Sequence, residues 1–231
     1  MALPGSHGSL GTMNERWSLG RMQNPVRGFL HGTAAVIAVG GLVFMILSAG
    51  SWQMRLAAGL FGTAMVALFS TSSLYHSIPW SWMWKKRMQR MDHSMIYIFI
   101  AATYTPPVLV VLDPPWQWVM LGAVWGIAAV GVGQHLFFPS ERTGFSVGLA
   151  TGLGWIGVLL VWPFIERLGI VAFCLVILGG VLYTIGMVFL VTNRPRLWPR
   201  VFSYHEAFHV LVVLATAAHF VFVTRYVLPL G

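Results

Sequence analysis

The chain has 231 residues, of which 57% are hydrophobic and only 9% charged, where a soluble domain carries about 25% charged residues. With a mean hydropathy of +0.75, this composition excludes an ordinary soluble domain and leaves an all-α, polytopic membrane protein. The formal net charge of +8 does not point to nucleic acid, because Lys and Arg lie in short clusters between apolar runs, as membrane topology signals do.

Residues 1–12 lack the basic flank and apolar core of a signal peptide. Residues 1–25 are expected to form a disordered or short cytoplasmic tail, with 1–12 open to reading as an expression remnant ahead of Met13. The remainder, 26–231, is expected to form a seven-transmembrane helix domain. Crossing a hydrocarbon core takes roughly 20 residues, and suitable runs fall at 28–48, 56–78, 94–112, 116–138, 145–164, 168–191 and 203–226. Their separators are polar: Ser51-Trp52-Gln53-Met54-Arg55, the basic Lys85-Lys86-Arg87, Asp113-Pro114-Pro115, Ser140-Glu141-Arg142, Glu166-Arg167 and Asn193-Arg194-Pro195-Arg196. Trp52, Trp80, Trp82, Trp84, Trp116, Trp118, Trp162 and Trp198 lie at these breaks, as interfacial anchors do. Pro106 and Pro107 should break or kink the third span, since each removes a backbone donor. Gly148, Gly152, Gly154 and Gly157 read as a surface for close helix packing. Cys174, the one cysteine, lies in an apolar run and reads as inert packing.

Alternate loops carry very different charge. Arg16, Arg21, Arg27, Lys85, Lys86, Arg87, Arg90, Arg142, Arg194, Arg196 and Arg200 fall on one side, and only Arg55, Arg167 and Arg225 on the other. The asymmetry predicts a cytoplasmic amino terminus and an external carboxyl terminus, the reverse of a G-protein-coupled receptor.

Under that topology three segments far apart in sequence bring metal-type side chains to the cytoplasmic end. The second span ends with Ser72 and His76, the third begins with Asp92 and His93, and the seventh begins with His205 and His209. His205 and His209 stand at i and i+4 on one helix face, a two-ligand clamp for zinc that requires a third protein ligand. His76 is the natural third. Asp92 faces the same site from the first turn of its span, and Ser72 lies one turn from His76; a helix-capping carboxylate is the plain alternative for Asp92, and serines are common in helix interfaces. Single intramembrane histidines are more often hydrogen-bonded packing residues, and His31, His135 and His219 are read that way.

The ordered segments Ser72-Ser73-Leu74-Tyr75-His76, Asp92-His93-Ser94-Met95-Ile96-Tyr97, Ala102-Thr103-Tyr104-Thr105-Pro106 and His205-Glu206-Ala207-Phe208-His209 resemble the hemolysin III family, the bacterial branch of the progestin and adipoQ receptors. The resemblance implies seven spans in a bacterial plasma membrane and zinc held by His76, His205 and His209, with Asp92 and Ser72 beside it. Some animal relatives are reported to hydrolyse ceramide. Two departures stand out: Glu206 completes a literal H-E-x-x-H, which the family does not require, and 24–31 matches the usual opening of the first span only loosely.

Zinc held by three neutral imidazoles acidifies water toward a pKa of about 7, and a neighbouring carboxylate then serves as general base. The first reading is a zinc-dependent hydrolase of a membrane lipid amide. The second is a receptor or membrane-state regulator with a structural zinc, and a pore-forming cytolysin ranks last. Asp92 is the expected base. Glu206 is expected to be a cytoplasmic-face residue whose loss is nearly silent, unless a zincin-like mechanism uses it.

Overall fold

The computed structural model describes residue 22 and residues 24–138, 143–198 and 201–231. Most of the expected tail, together with Arg16, Arg21, Ser140, Glu141, Arg142 and Arg200 of the charge and separator arguments, lies outside these residues. Where no water can satisfy backbone groups, a chain crosses lipid as helices or a closed barrel, and the described residues are overwhelmingly helical. Seven helical segments are long and apolar enough to span a membrane. They are α1 (Pro25–Ser48), α2 (Trp52–Ser77), α3 (Trp82–Val111), α4 (Trp116–Phe137), a fifth span built from α5 (Thr143–Trp155), a 3-10 stretch (Ile156–Leu160) and α6 (Val161–Leu168), then α7 (Ile170–Thr192), and a last span in which α8 (Tyr204–Phe222) continues through a π turn, Val223–Val227.

Consecutive helices from α1 to α4 pack side by side, as do α7 and α8, and α8 returns against α1. α3 is the most buried span, followed by α2, while α7 turns most of its surface outward. The closest approaches use glycine: a Cβ at Gly131 would meet the ring of Tyr97, one at Gly62 would meet Leu42 and Met45, and one at Gly186 would meet Phe208. Gly148, Gly152 and Gly154, expected to pack closely, instead face open space. Small residues permit a close approach without compelling one, and here Gly154 and Gly157 line an internal cavity. Cys174 is likewise exposed on α7 rather than packed.

Two other expectations change. α3 starts at Trp82, so Lys85, Lys86 and Arg87 form its first turns instead of a separator; hydropathy marks the edge of the hydrocarbon, and a helix need not stop there. α3 also runs through Pro106 and Pro107 to Val111, so of the break or kink expected there the break does not occur. Both prolines are buried, and at that depth two missing backbone bonds cost less than a chain that leaves the helix.

The fifth span carries a real break, and its freed backbone groups find a partner. The Tyr104 hydroxyl donates toward the carbonyls of Leu153 (3.1 Å) and Gly154 (2.8 Å) and accepts from the Gly157 N–H at 2.8 Å. One α3 side chain thus supplies the bonds that the 3-10 stretch gives up, which fixes the fifth span against the centre of the bundle.

Candidate metal centre

The end of α2 and the start of α8 meet at the end of the bundle where α3 also begins. His205 and His209, one turn apart on α8, stack nearly parallel with ring centroids 5.0 Å apart and an interplanar angle of 10°. His76 stands edge-on to both, at 5.3 Å and 84° from His205 and at 4.8 Å and 86° from His209. One nitrogen from each ring lies within 4.8 Å of the other two, close enough for a shared metal ion. Zn–N bonds of about 2.0–2.1 Å place tetrahedral ligand atoms about 3.4 Å apart, a difference that small rotations of three imidazoles can close.

The unmatched polar atoms fit the same use. His76 Nδ1 and His209 Nε2 are both buried and without a hydrogen-bond partner, which is unfavourable for a neutral ring. A metal ion would take both lone pairs. His209 Nδ1 lies 2.9 Å from His31 Nε2; a ligating histidine commonly donates its second ring N–H to a neighbour that fixes its tautomer and orientation. His31, read from sequence as packing, is therefore the residue that orients His209.

Ser72, buried one turn from His76, lies beside the Asp92 carboxylate. Both line the same cavity as His31, His76, His205 and His209. The structure thus places Ser72, His76, Asp92, His205 and His209 around one cavity.

Glu206 goes elsewhere, and its expected place on an exposed cytoplasmic face is corrected. It is buried and does not line the cavity. Its Oε2 accepts the Ser203 N–H at 2.8 Å, half of a capping box at the start of α8. Its Oε1 accepts from Arg27 Nε at 2.7 Å. Arg27 and His31 are four residues apart on α1 and meet Glu206 and His209, three apart on α8, so two side-by-side contacts fix the register of the first and last spans. Asn24 N–H donates to the His76 carbonyl at 3.1 Å, and Ser73 Oγ donates to the Gly28 carbonyl at 2.8 Å. The loosely matching 24–31 segment is therefore what holds both histidine-bearing ends in place.

The remaining histidines divide by location. His93 and His135 face each other with centroids 5.3 Å apart, and His93 also lines the cavity of the triad. His219 lies deep in the bundle with Nε2 3.3 Å from the Val176 carbonyl, consistent with its reading as a packing residue.

From the histidines the cavity, of about 270 Å³, continues into the bundle past Ile96, Phe99, Ile100 and Tyr104 to Phe164 and Phe222. Its lining on α3 runs from Gln89 to Pro107, about 27 Å at about 1.5 Å per residue. Below the histidines the walls are mainly apolar.

The family profile described as "Haemolysin-III related" matches residues 20–220. The chain is 32% identical over 202 residues to Hemolysin-3 of Bacillus cereus, covering 86% of this chain and 89% of that one. It is 31% identical over 200 residues to the Hemolysin-3 homolog of Bacillus subtilis (85% and 90% covered), and 24% identical over 195 residues to the human Monocyte to macrophage differentiation factor (81% and 77%).

Proposed function

The chain belongs to the haemolysin-III-related family, and we propose that it is a zinc-dependent hydrolase of a membrane lipid amide, seated in a bacterial plasma membrane with its amino terminus in the cytoplasm. The observation that carries the reading is the connection of a three-histidine cluster to an elongated apolar cavity: polar chemistry at one end of the bundle, and room for one acyl chain along most of a hydrocarbon layer about 30 Å thick. His76, His205 and His209 would hold the ion. Zinc, when bound, supplies a Lewis acid that polarises a carbonyl and acidifies water.

The chain's own residues supply the rest. In this reading Ser72, beside Asp92, donates its hydroxyl to that carboxylate, whose other lone pairs remain for the reaction. Asp92 takes a proton from the attacking water as its oxygen bonds to the acyl carbon, then passes that proton to the amine as the C–N bond breaks. A fatty acid and a free amine result, with no redox change. The apolar walls hold the acyl chain so that its amide sits beside the histidines, which reduces the entropy cost of alignment.

The test combines zinc content with hydrolysis of an N-acyl lipid by the purified protein in lipid. Wild type should release fatty acid; Asp92→Asn should lose about a hundredfold to ten-thousandfold in rate with zinc retained, and the His76, His205 and His209 to Ala triple variant should lose the metal. Stoichiometric zinc in a wild type that cleaves no lipid amide would replace catalysis with the structural reading, in which the ion ties α2 to α8. A triple variant that keeps wild-type zinc would overturn the site itself.

A further inference from the structure

A second cavity, of about 410 Å³, lies at the same end of the bundle between α3, α4, α5 and α7, a volume in the range of small-ligand pockets, about 300–1,000 Å³. Lys86, Arg90 and His93 line it from α3, Gln134 and His135 from the end of α4, and Ser146 from the start of α5. Lys86, Arg90 and His93 recur at i, i+4 and i+7, so a single helix face presents them. No Asp or Glu is among the described residues that line the cavity. Two cations, an imidazole pair, an amide and a hydroxyl thus converge among the described residues.

The wall is fixed in place before any ligand arrives. Tyr97 donates its hydroxyl to the Ser146 carbonyl at 2.8 Å, and Ser146 Oγ lies 2.9 Å from His135 Nε2. Lys86 Nζ rests 3.9 Å from the centre of the Trp82 ring. Deeper in, Val147, Met187 and Leu190 provide apolar lining.

We propose that this cavity binds the phosphate of an anionic phospholipid, with Lys86 and Arg90 on the phosphate oxygens and the apolar wall against the first carbons of the chains. Basic pockets between transmembrane helices on the positively charged side are suited to such headgroups. The apolar wall favours a lipid over free inorganic phosphate. His93, Ile96 and Leu190 line this cavity and the one leading to the three histidines, so a bound headgroup shares a wall with the candidate metal centre. The proposal rests on neither zinc nor hydrolysis.

Native mass spectrometry of the full chain in detergent tests it with phosphatidylglycerol, phosphatidylcholine and inorganic phosphate as separate probes. Phosphatidylglycerol should bind well above phosphatidylcholine. Lys86→Gln with Arg90→Gln should weaken it about thirtyfold, at roughly fivefold for each cation. Arg87→Gln with Arg194→Gln removes the same charge outside the cavity and should leave binding within about twofold of wild type. Val147→Phe, which fills the cavity without changing charge, should abolish binding; the thermal midpoint of each variant shows whether it has folded, and the exposed-cation pair decides alone if Val147→Phe has not. Equal affinity for the two lipids, an equal loss in the charge-matched control, or binding of free phosphate without the lipid would each overturn the assignment.

Discussion

Glu206 offers the sharpest separation between a catalytic and an architectural role. Its carboxylate makes two bonds, to Arg27 Nε at 2.7 Å and to the Ser203 N–H at 2.8 Å, and the side chains of the ion pair are only 11% and 10% exposed. Removing one partner of a buried pair typically costs about 3–5 kcal/mol, and losing a cap about 1 kcal/mol, so Glu206→Ala should destabilise by about 4–6 kcal/mol. Glu206→Gln keeps an acceptor for Ser203 and loses only the charge-assisted part of the Arg27 contact, about 1.5–3 kcal/mol. At about 2–4 °C per kcal/mol, the thermal midpoint should fall by about 8–24 °C for Ala and by about 3–12 °C for Gln. Arg27→Met with Glu206→Met should recover most of that loss, because a buried pair exchanged for apolar side chains is close to neutral. Midpoints in detergent, read with zinc content and lipid hydrolysis on the same samples, decide the matter. A Glu206→Gln protein with wild-type midpoint and zinc but no activity would make Glu206 the base; a double Met variant no better than the sum of the singles would refute the coupling between the two residues.

Replacing His31 with Phe should weaken zinc about 10–100-fold without abolishing it, as loss of an orienting partner does; chelator competition measures this, and unchanged affinity would return His31 to plain packing. Tyr104→Phe should cost about 1–3 kcal/mol, because the backbone groups at the break in the fifth span lose the hydroxyl that pairs them, and an unchanged unfolding midpoint would mean that the break is satisfied otherwise. Reporter fusions at the two ends should fall in opposite compartments, the amino terminus in the cytoplasm; both ends on one side would contradict seven spans. Gly131→Ala should destabilise by about 1–3 kcal/mol, since the added carbon runs into the Tyr97 ring, and an unaffected midpoint would show that α3 and α4 can separate freely there.

What the sequence made legible was whatever the membrane itself imposes. Hydrocarbon requires long apolar helices, so the spans are readable from composition, and counting them puts His76 at the same end as His205 and His209. The start of α3 was not readable that way, because Trp82 to Arg90 is helical for reasons hydropathy does not register. His31 shows a second limit. A lone histidine on an apolar helix declares no partner, and the group that gives it meaning is 178 residues away; the signal on its own helix was Arg27 one turn earlier, on the same face.

Glu206 shows a third limit, because two motifs compete for one carboxylate. His205-Glu206-Ala207-Phe208-His209 suggests a base beside a metal, while Ser203-Tyr204-His205-Glu206 suggests a capping box. The second is satisfied within one helical turn. At the third helical residue the side chain can reach back to the exposed N–H of its own cap, and Arg27 adds a cation on that side. Reaching the histidine cluster would require leaving both contacts and burying an acid against three imidazoles whose lone pairs suit a metal better. The competition therefore resolves on local geometry, and it leaves Asp92 as the carboxylate that, among the described residues, lines the cavity of the three histidines.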